Sequence, residues 1–375
     1  MRSTVIDRRR FLAALTAFGA GPLMAGPQGP NAQALYLSAR KDGDRYVAVL
    51  FDEQGRDLYT IPMPARGHSF AIDAQRRRAV AFGRQPGFFA IAFDLAGKEE
   101  PVAIESAAGR HFFGHGVFTP DGKWLLATEN DYEAGRGVLG IYDASPGGGF
   151  RRVGEYATGG VGPHEVVLLA DGKGVCVANG GILTHPDYGK LQLNPDTMQS
   201  SLSYIDLRSG KVAEQVSVAP ELRRLSIRHM VVDGRGDVWF GCQYTGPAAE
   251  QPPLVGRHRR GGELEFFAGP IETLRSMKNY VGSVALSASG TVLATSSPVG
   301  GTVVYWDTRD GACLGSSDLF DGCGVAPASD GDFLVSSGRG ELVRASVGGA
   351  KSGRILLLPG GSWDNHLRKV VASSC

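Results

Sequence analysis

Apolar residues along the chain come in short runs, rarely longer than eight, each closed by Gly, Asp, Pro or Ser. The stretch Gly114 to Asn130, GHGVFTPDGKWLLATEN, shows the unit: an imidazole, an apolar run, a Pro-Asp-Gly turn and a second apolar run. That pattern predicts two antiparallel strands joined by a tight turn. Aligned on the turn, GHSFAIDAQRRRAVAFG, PHEVVLLADGKGVCVAN, RHMVVDGRGDVWFG, GSVALSASGTVLATS and CGVAPASDGDFLVSS fall into register with it. NHLRKVVASSC is a last, shorter copy at the C-terminus.

A later half of the unit repeats too. An apolar or aromatic residue followed by Asp ends a strand at Phe51-Asp52, Phe93-Asp94, Tyr142-Asp143, Ile205-Asp206 and Trp306-Asp307, and a turn and a more polar fourth strand follow each. The units begin near residues 68, 115, 164, 229, 283, 324 and 366, at spacings of 47, 49, 65, 54, 41 and 42. Repeats of ~40–50 residues with about four strands each predict an all-β chain folded as a β-propeller of seven blades. The C-terminal run His366 to Val371 is expected to close the ring as the innermost strand of the blade begun by ALYLSA and RYVAVLFD. Two packed β-sandwich domains are the competing architecture, but no linker-like stretch divides the chain. The stretched spacings come from insertions at Glu129 to Gly137, Asn179 to Ser201 and Gln243 to Pro253. All three fall between second and third strands, so they elaborate one face.

The first 25 residues stand apart from this pattern. Asp7-Arg8-Arg9-Arg10-Phe11-Leu12 precedes an apolar, Ala- and Gly-rich run to Ala25, which resembles a twin-arginine export signal, with Asp7 where Ser or Thr is more usual. The expectation is a signal over residues 1–25, a single propeller domain over 26–375 and a periplasmic destination. An uncleaved N-terminal anchor is the alternative. No other segment is long and apolar enough for a membrane span.

The balance of 39 Lys+Arg against 38 Asp+Glu carries no electrostatic footprint for nucleic acid or an anionic membrane. Cys176, Cys242, Cys313, Cys323 and Cys375 form neither a disulfide framework nor a CxxC motif. Cys176 and Cys242 read as core; Cys313 and Cys323 are left open as a pair. There is no nucleophile elbow, phosphate loop or zinc-protease helix, so no catalytic residue is assigned.

What remains is a register of histidines. Of the eight, His68, His115, His164, His229 and His366 hold the same place at the start of the innermost strand, where the other two units have Ser283 and Gly324. Around a closed ring the five blades are consecutive, which gathers five imidazoles at one arc of the channel mouth. Buried polar rings need partners. A transition metal supplies one, because neutral imidazole ligates iron, copper and zinc, three or four nitrogens at about 2 Å completing a site. The opposing reading is the histidine of WD-repeat propellers, hydrogen-bonded inside its own blade. Here, however, His115 stands only seven residues before Gly122, and the Trp306-Asp307 unit has no histidine.

Further candidates are His111 and His185 as added ligands or lid, against surface-loop roles. Glu165 and Asp364 are candidate carboxylates orienting the imidazoles, against simple solvation. Arg223, Arg224 and Arg228 are a candidate anion site, and His258 reads as a surface residue among arginines.

The twin-arginine start, the register histidines and above all the loop GGILTHPDYGKLQLNPDTMQSSL resemble the bacterial family called domain of unknown function 1513. The resemblance implies a periplasmic seven-bladed propeller associated with imelysin-type lipoproteins and a di-haem oxidoreductase, a setting of iron acquisition. At the level of fold alone, the register is similar to nitrous oxide reductase, whose propeller histidines hold a copper cluster; shared fold does not carry shared chemistry. Three functions follow as expectations. The first is an iron- or copper-binding propeller, zinc being a further option, that works with periplasmic iron-uptake partners under a lid of residues 179–201. The others are a metal-dependent oxidoreductase or lyase, and a metal-free interaction scaffold.

Overall fold

A computed structural model describes residues 34–189, 191–329, 331–347 and 353–370. Residues 1–25, expected to be an export signal, and Cys375 lie outside the described residues. Seven four-stranded antiparallel sheets are arranged as the blades of a propeller. Their innermost strands are Gly67–Asp73 in blade 1, Arg110–Phe118 in blade 2, Pro163–Leu168 in blade 3 and Leu225–Val232 in blade 4. Ser283–Leu286, Gly322–Pro327 and Gly361–Val370 follow in blades 5, 6 and 7. Each inner strand touches the next, the last touching the first. The C-terminal strand closes the ring by pairing with Leu35–Asp42, Leu35 facing Val370, and the Ser38 hydroxyl donates to the His366 carbonyl at 2.7 Å.

The core is a series of seams between blades rather than one central mass. Phe82 and Ala92 of blade 1 meet Phe112, Leu125 and Tyr142 of blade 2, and Val49 and Phe51 of blade 7 meet Leu334 and Leu342 of blade 6. Middle strands are therefore covered on both faces and open as apolar runs before ending on buried polar residues, as in Gly174–Asn179, which is buried throughout. Outer strands have one wet face and alternate, as in Val212–Ser217. Burying each large apolar side chain in these seams contributes about 1.5–3 kcal/mol.

The recurring Asp at the end of the third strand has a local cause. Asp52 Oδ1 accepts from the backbone N–H groups of Gln54 and Arg56, and Asp94, Asp143, Asp206 and Asp307 cap their turns in the same way. A short carboxylate that hydrogen-bonds the backbone ahead of it fixes the turn into the fourth strand.

Of the three insertions, two are loops, running from Asn179 to Ser201 and from Tyr244 to Val255. The stretch Glu129 to Gly137 is instead an extended hairpin, because Trp124–Asp131 and Arg136–Asp143 stay paired to their ends around a four-residue turn. A short helix, Ile271–Met277, joins blades 4 and 5.

A candidate metal centre inside the channel

The inner strands of the five histidine blades are not regular. Pairing with the second strand breaks between Gly67 and Phe70, between Phe112 and Gly116, between Pro163 and Glu165, and between Ile227 and His229. The closing strand breaks between Trp363 and Leu367. Each break is a bulge at the histidine, and a bulge re-aims the side chain it carries. In blades 2, 4 and 7 the strand begins several residues earlier, at Arg110, Leu225 and Gly361. His115, His229 and His366 thus stand within their strands, deeper in the channel than the expected mouth, whereas His68 and His164 are the second residues of theirs, at the strand start as expected.

There the five rings form one cluster. His68 lies 4.5 Å from His366 and 5.0 Å from His115 between centroids. His164 lies 4.7 Å from His229, and His366 is 4.7 Å from both His115 and His229. One ring nitrogen each of His68, His115 and His164 lies within 4.8 Å of the others, and the same holds for His115, His229 and His366. Glycine makes the approach possible: at Gly114, with φ of +102°, an added Cβ would sit 2.5 Å from Cδ2 of His68.

Two buried carboxylates hold three of the rings by Nδ1. Glu165 reaches His115 at 3.4 Å and His229 at 3.3 Å, and Asp364 reaches His68 at 3.3 Å. Each carboxylate is itself anchored. Arg368 pairs with Glu165, while Arg66 and Arg84 pair with Asp364 at 2.5 and 3.1 Å. Burial opposes ionisation of both acids, but Arg368 and the bound imidazoles for Glu165, and His68 with Arg84 and Arg66 for Asp364, hold both well below the usual carboxylate range.

The imidazoles are pushed the other way. Burial lowers His115 to about 3 and His229 to about 4, only partly countered by Glu165, and it lowers His68, His164 and His366 as well. All five are neutral at pH 7 and offer lone pairs. Yet His115 Nε2, His366 Nε2 and His164 Nδ1 are buried with no hydrogen-bond partner among the described residues. Each such atom costs about 1–3 kcal/mol.

Above the cluster lies a chamber of about 300 Å³ on the face of the long loops. His68, His164 and His229 line it from below, Ile182, Thr184 and Gln192 from the 179–201 loop, and Arg84, Arg228 and Tyr280 from other sides.

The remaining candidates fall elsewhere. Both nitrogens of His111 are engaged, Nδ1 by the Phe112 carbonyl at 3.1 Å and Nε2 by the Asn130 amide at 3.1 Å, so it is a structural ring. His185 accepts from the Asp187 N–H at 3.2 Å and packs against Tyr132 and Tyr188, outside the cluster. The arginine trio is divided, since Arg228 enters the chamber while Arg223 is exposed and neither it nor Arg224 lines the cavity. His258, expected at the surface, is fully buried between the Tyr204 hydroxyl at 2.5 Å and the Gly262 carbonyl at 3.1 Å. Cys313 and Cys323 are free thiols, one on the outermost strand of blade 5 and the other on the innermost strand of blade 6. Arg66, Arg84 and Arg368 were not singled out by sequence. Their signal was position: Arg66 stands two residues before His68, just ahead of the inner strand, and Arg368 two residues after His366 on the closing strand.

Residues 61–370 match the model of a family described as "Protein of unknown function (DUF1513)". No curated protein matches the sequence. Among solved structures, a chain of Kuenenia stuttgartiensis hydrazine synthase is similar with a TM-score of 0.60 at 14% identity, covering 89% of this chain and 98% of that one. The β-propeller domain of Myceliophteria thermophila Cps50 (Swd1) is similar with a TM-score of 0.53 at 11% identity, over 88% of this chain and 99% of that one. At such identities the likeness is one of fold.

Proposed function

The chain belongs to the DUF1513 family, whose description names no reaction, and from its own site we propose that it is a metal-binding propeller holding one transition-metal ion among His68, His115, His164, His229 and His366. The observation that carries this reading is the set of three buried imidazole nitrogens without partners inside a cluster of five neutral rings. A cluster built only for structure would pair those atoms, as the same fold does for His111 and His258. With Nδ1 of His68, His115 and His229 engaged by carboxylates, Nε2 is left as the nitrogen with a free lone pair, the arrangement that fixes imidazole ligands in metal sites.

Tetrahedral ligation at about 2.1 Å places nitrogens about 3.4 Å apart. The rings, separated by up to 4.8 Å within a triad, draw together on binding. An all-nitrogen set suits iron or copper, and zinc as well, and in open competition the Irving–Williams order favours copper. Export by the twin-arginine route to the periplasm fits the Arg8-Arg9 start, and delivery of iron to or from imelysin-type or di-haem partners fits the family resemblance. A second reading is favoured by the chamber, which gives small ligands access to His68, His164 and His229. On that reading the ion keeps an open position and is a catalytic centre for an oxidoreductase or lyase.

Titration of metal-free protein with Cu²⁺ against a chromophoric chelator tests the site. The double variant H115A/H366A is expected to bind at least about a hundredfold more weakly, because losing two imidazole ligands costs more than the ~10–100-fold that loss of an outer-shell partner costs. Equal affinities would overturn the reading.

A further inference from the structure

The charges around the chamber do not balance. Four guanidiniums, those of Arg66, Arg84, Arg228 and Arg368, surround the site, against two carboxylates, Glu165 and Asp364. The chamber lining holds Arg84 and Arg228 and no acidic residue. Asp364 answers Arg84, and Glu165 answers Arg368. Arg228 has no ion pair with any described carboxylate, and its Nε is buried without a partner. An uncompensated guanidinium at such a site is costly unless a ligand completes it. The surplus positive charge also works against a bare metal cation entering from above, so an ion is better received together with an anion.

We propose that the chamber binds a small hydroxylated polycarboxylate, with Arg228 as its principal anchor and Arg84 beside it. A planar guanidinium fork matches a carboxylate in bidentate fashion. Gln85, Gln192, Gln243 and Asn365 line the remaining wall with groups that both donate and accept, which suits hydroxyls as well as carboxylates. The volume of about 300 Å³ is at the lower end of small-molecule sites and exceeds what a single tetrahedral oxyanion fills. Use of the anion as co-ligand of a metal rests on the function proposed above. Binding of the anion itself does not, because Arg228 is present whether or not the histidines hold an ion.

The test is calorimetric titration of the full chain, stripped of metal and freed of chelator, with citrate and separately with inorganic phosphate. Citrate is expected to bind, R228Q to weaken it by about tenfold or more, and Q192A to weaken it less. R223Q, outside the chamber, is expected to bind as the wild type does. The H115A/H366A variant is expected to keep citrate binding, so failure of the metal reading would leave this result standing. R228Q is expected to melt no lower than the anion-free wild type, because it removes an unpaired charge. Absence of citrate binding, equal affinity in R228Q, or phosphate binding as tightly as citrate would each overturn the proposal. So would a lower melting temperature of anion-free R228Q, since the guanidinium would then have a protein partner.

Discussion

Arg368 and Glu165 are ion-paired across the channel, one on the closing strand of blade 7 and the other on the inner strand of blade 3. The same carboxylate holds His115 and His229 and accepts from the Met230 N–H at 3.0 Å. One acid therefore ties together four of the five histidine blades. E165Q removes the charge while keeping the shape. Breaking a buried pair costs about 3–5 kcal/mol, and because Arg368 is a quarter exposed the loss is expected nearer about 2–3 kcal/mol. Urea denaturation measures it, and metal affinity is expected to fall by about 10–100-fold in the same variant.

Acid is expected to unfold the metal-free protein early. His115 and His229 stay neutral in the folded state down to about 3 and about 4, whereas an unfolded chain protonates its histidines near 6.5. Below pH 6.5 the unfolded state thus holds more protons, and stability falls with pH by about 1.4 kcal/mol per unit for each such histidine. Glu165 and Asp364, depressed when folded, add to the loss at still lower pH. Urea midpoints at pH 7 and pH 5 should show a steep decline, and H115A/H366A a shallower one.

The gap in the histidine ring at blade 6 is steric. A Cβ at Gly324 would lie 2.6 Å from the backbone nitrogen of Leu367 and 2.8 Å from its Cβ, so no side chain fits where the closing strand passes. G324A is expected to destabilise the fold by about 1–3 kcal/mol, read as a shift of the denaturation midpoint.

His111 separates a structural histidine from the cluster. H111A leaves the buried Asn130 amide without its imidazole partner and is expected to cost about 1–3 kcal/mol while leaving metal content unchanged. Thermal melting and elemental analysis of one preparation check both halves.

Much of the architecture was legible because the propeller repeats its chemistry. The Asp-Gly inner turn, the Asp that caps the third strand and the apolar middle strands recur in blade after blade, so seven blades and their closure follow from periodicity. The histidine register was legible for the same reason. Depth was not: the bulges that carry His115 and His366 into the channel leave no residue signature beyond a glycine such as Gly114. Pairings across the ring, as between Arg368 and Glu165, join residues 203 apart in sequence and depend on closure. His111 and His258 misled for different reasons: a histidine satisfied by Asn130 looks in sequence like one awaiting a ligand, and the arginines flanking His258 hide that Tyr204 and Gly262 bury it.

The central claim is that the five-imidazole cluster holds a metal ion. Elemental analysis of the purified chain, set beside H115A/H164A prepared identically and shown to be folded, tests it most directly. The account predicts about one transition-metal ion per wild-type chain, iron or copper first among them, and a small fraction of that in the variant. Equal metal content in the two proteins, or none in the wild type after exposure to these ions, would contradict it.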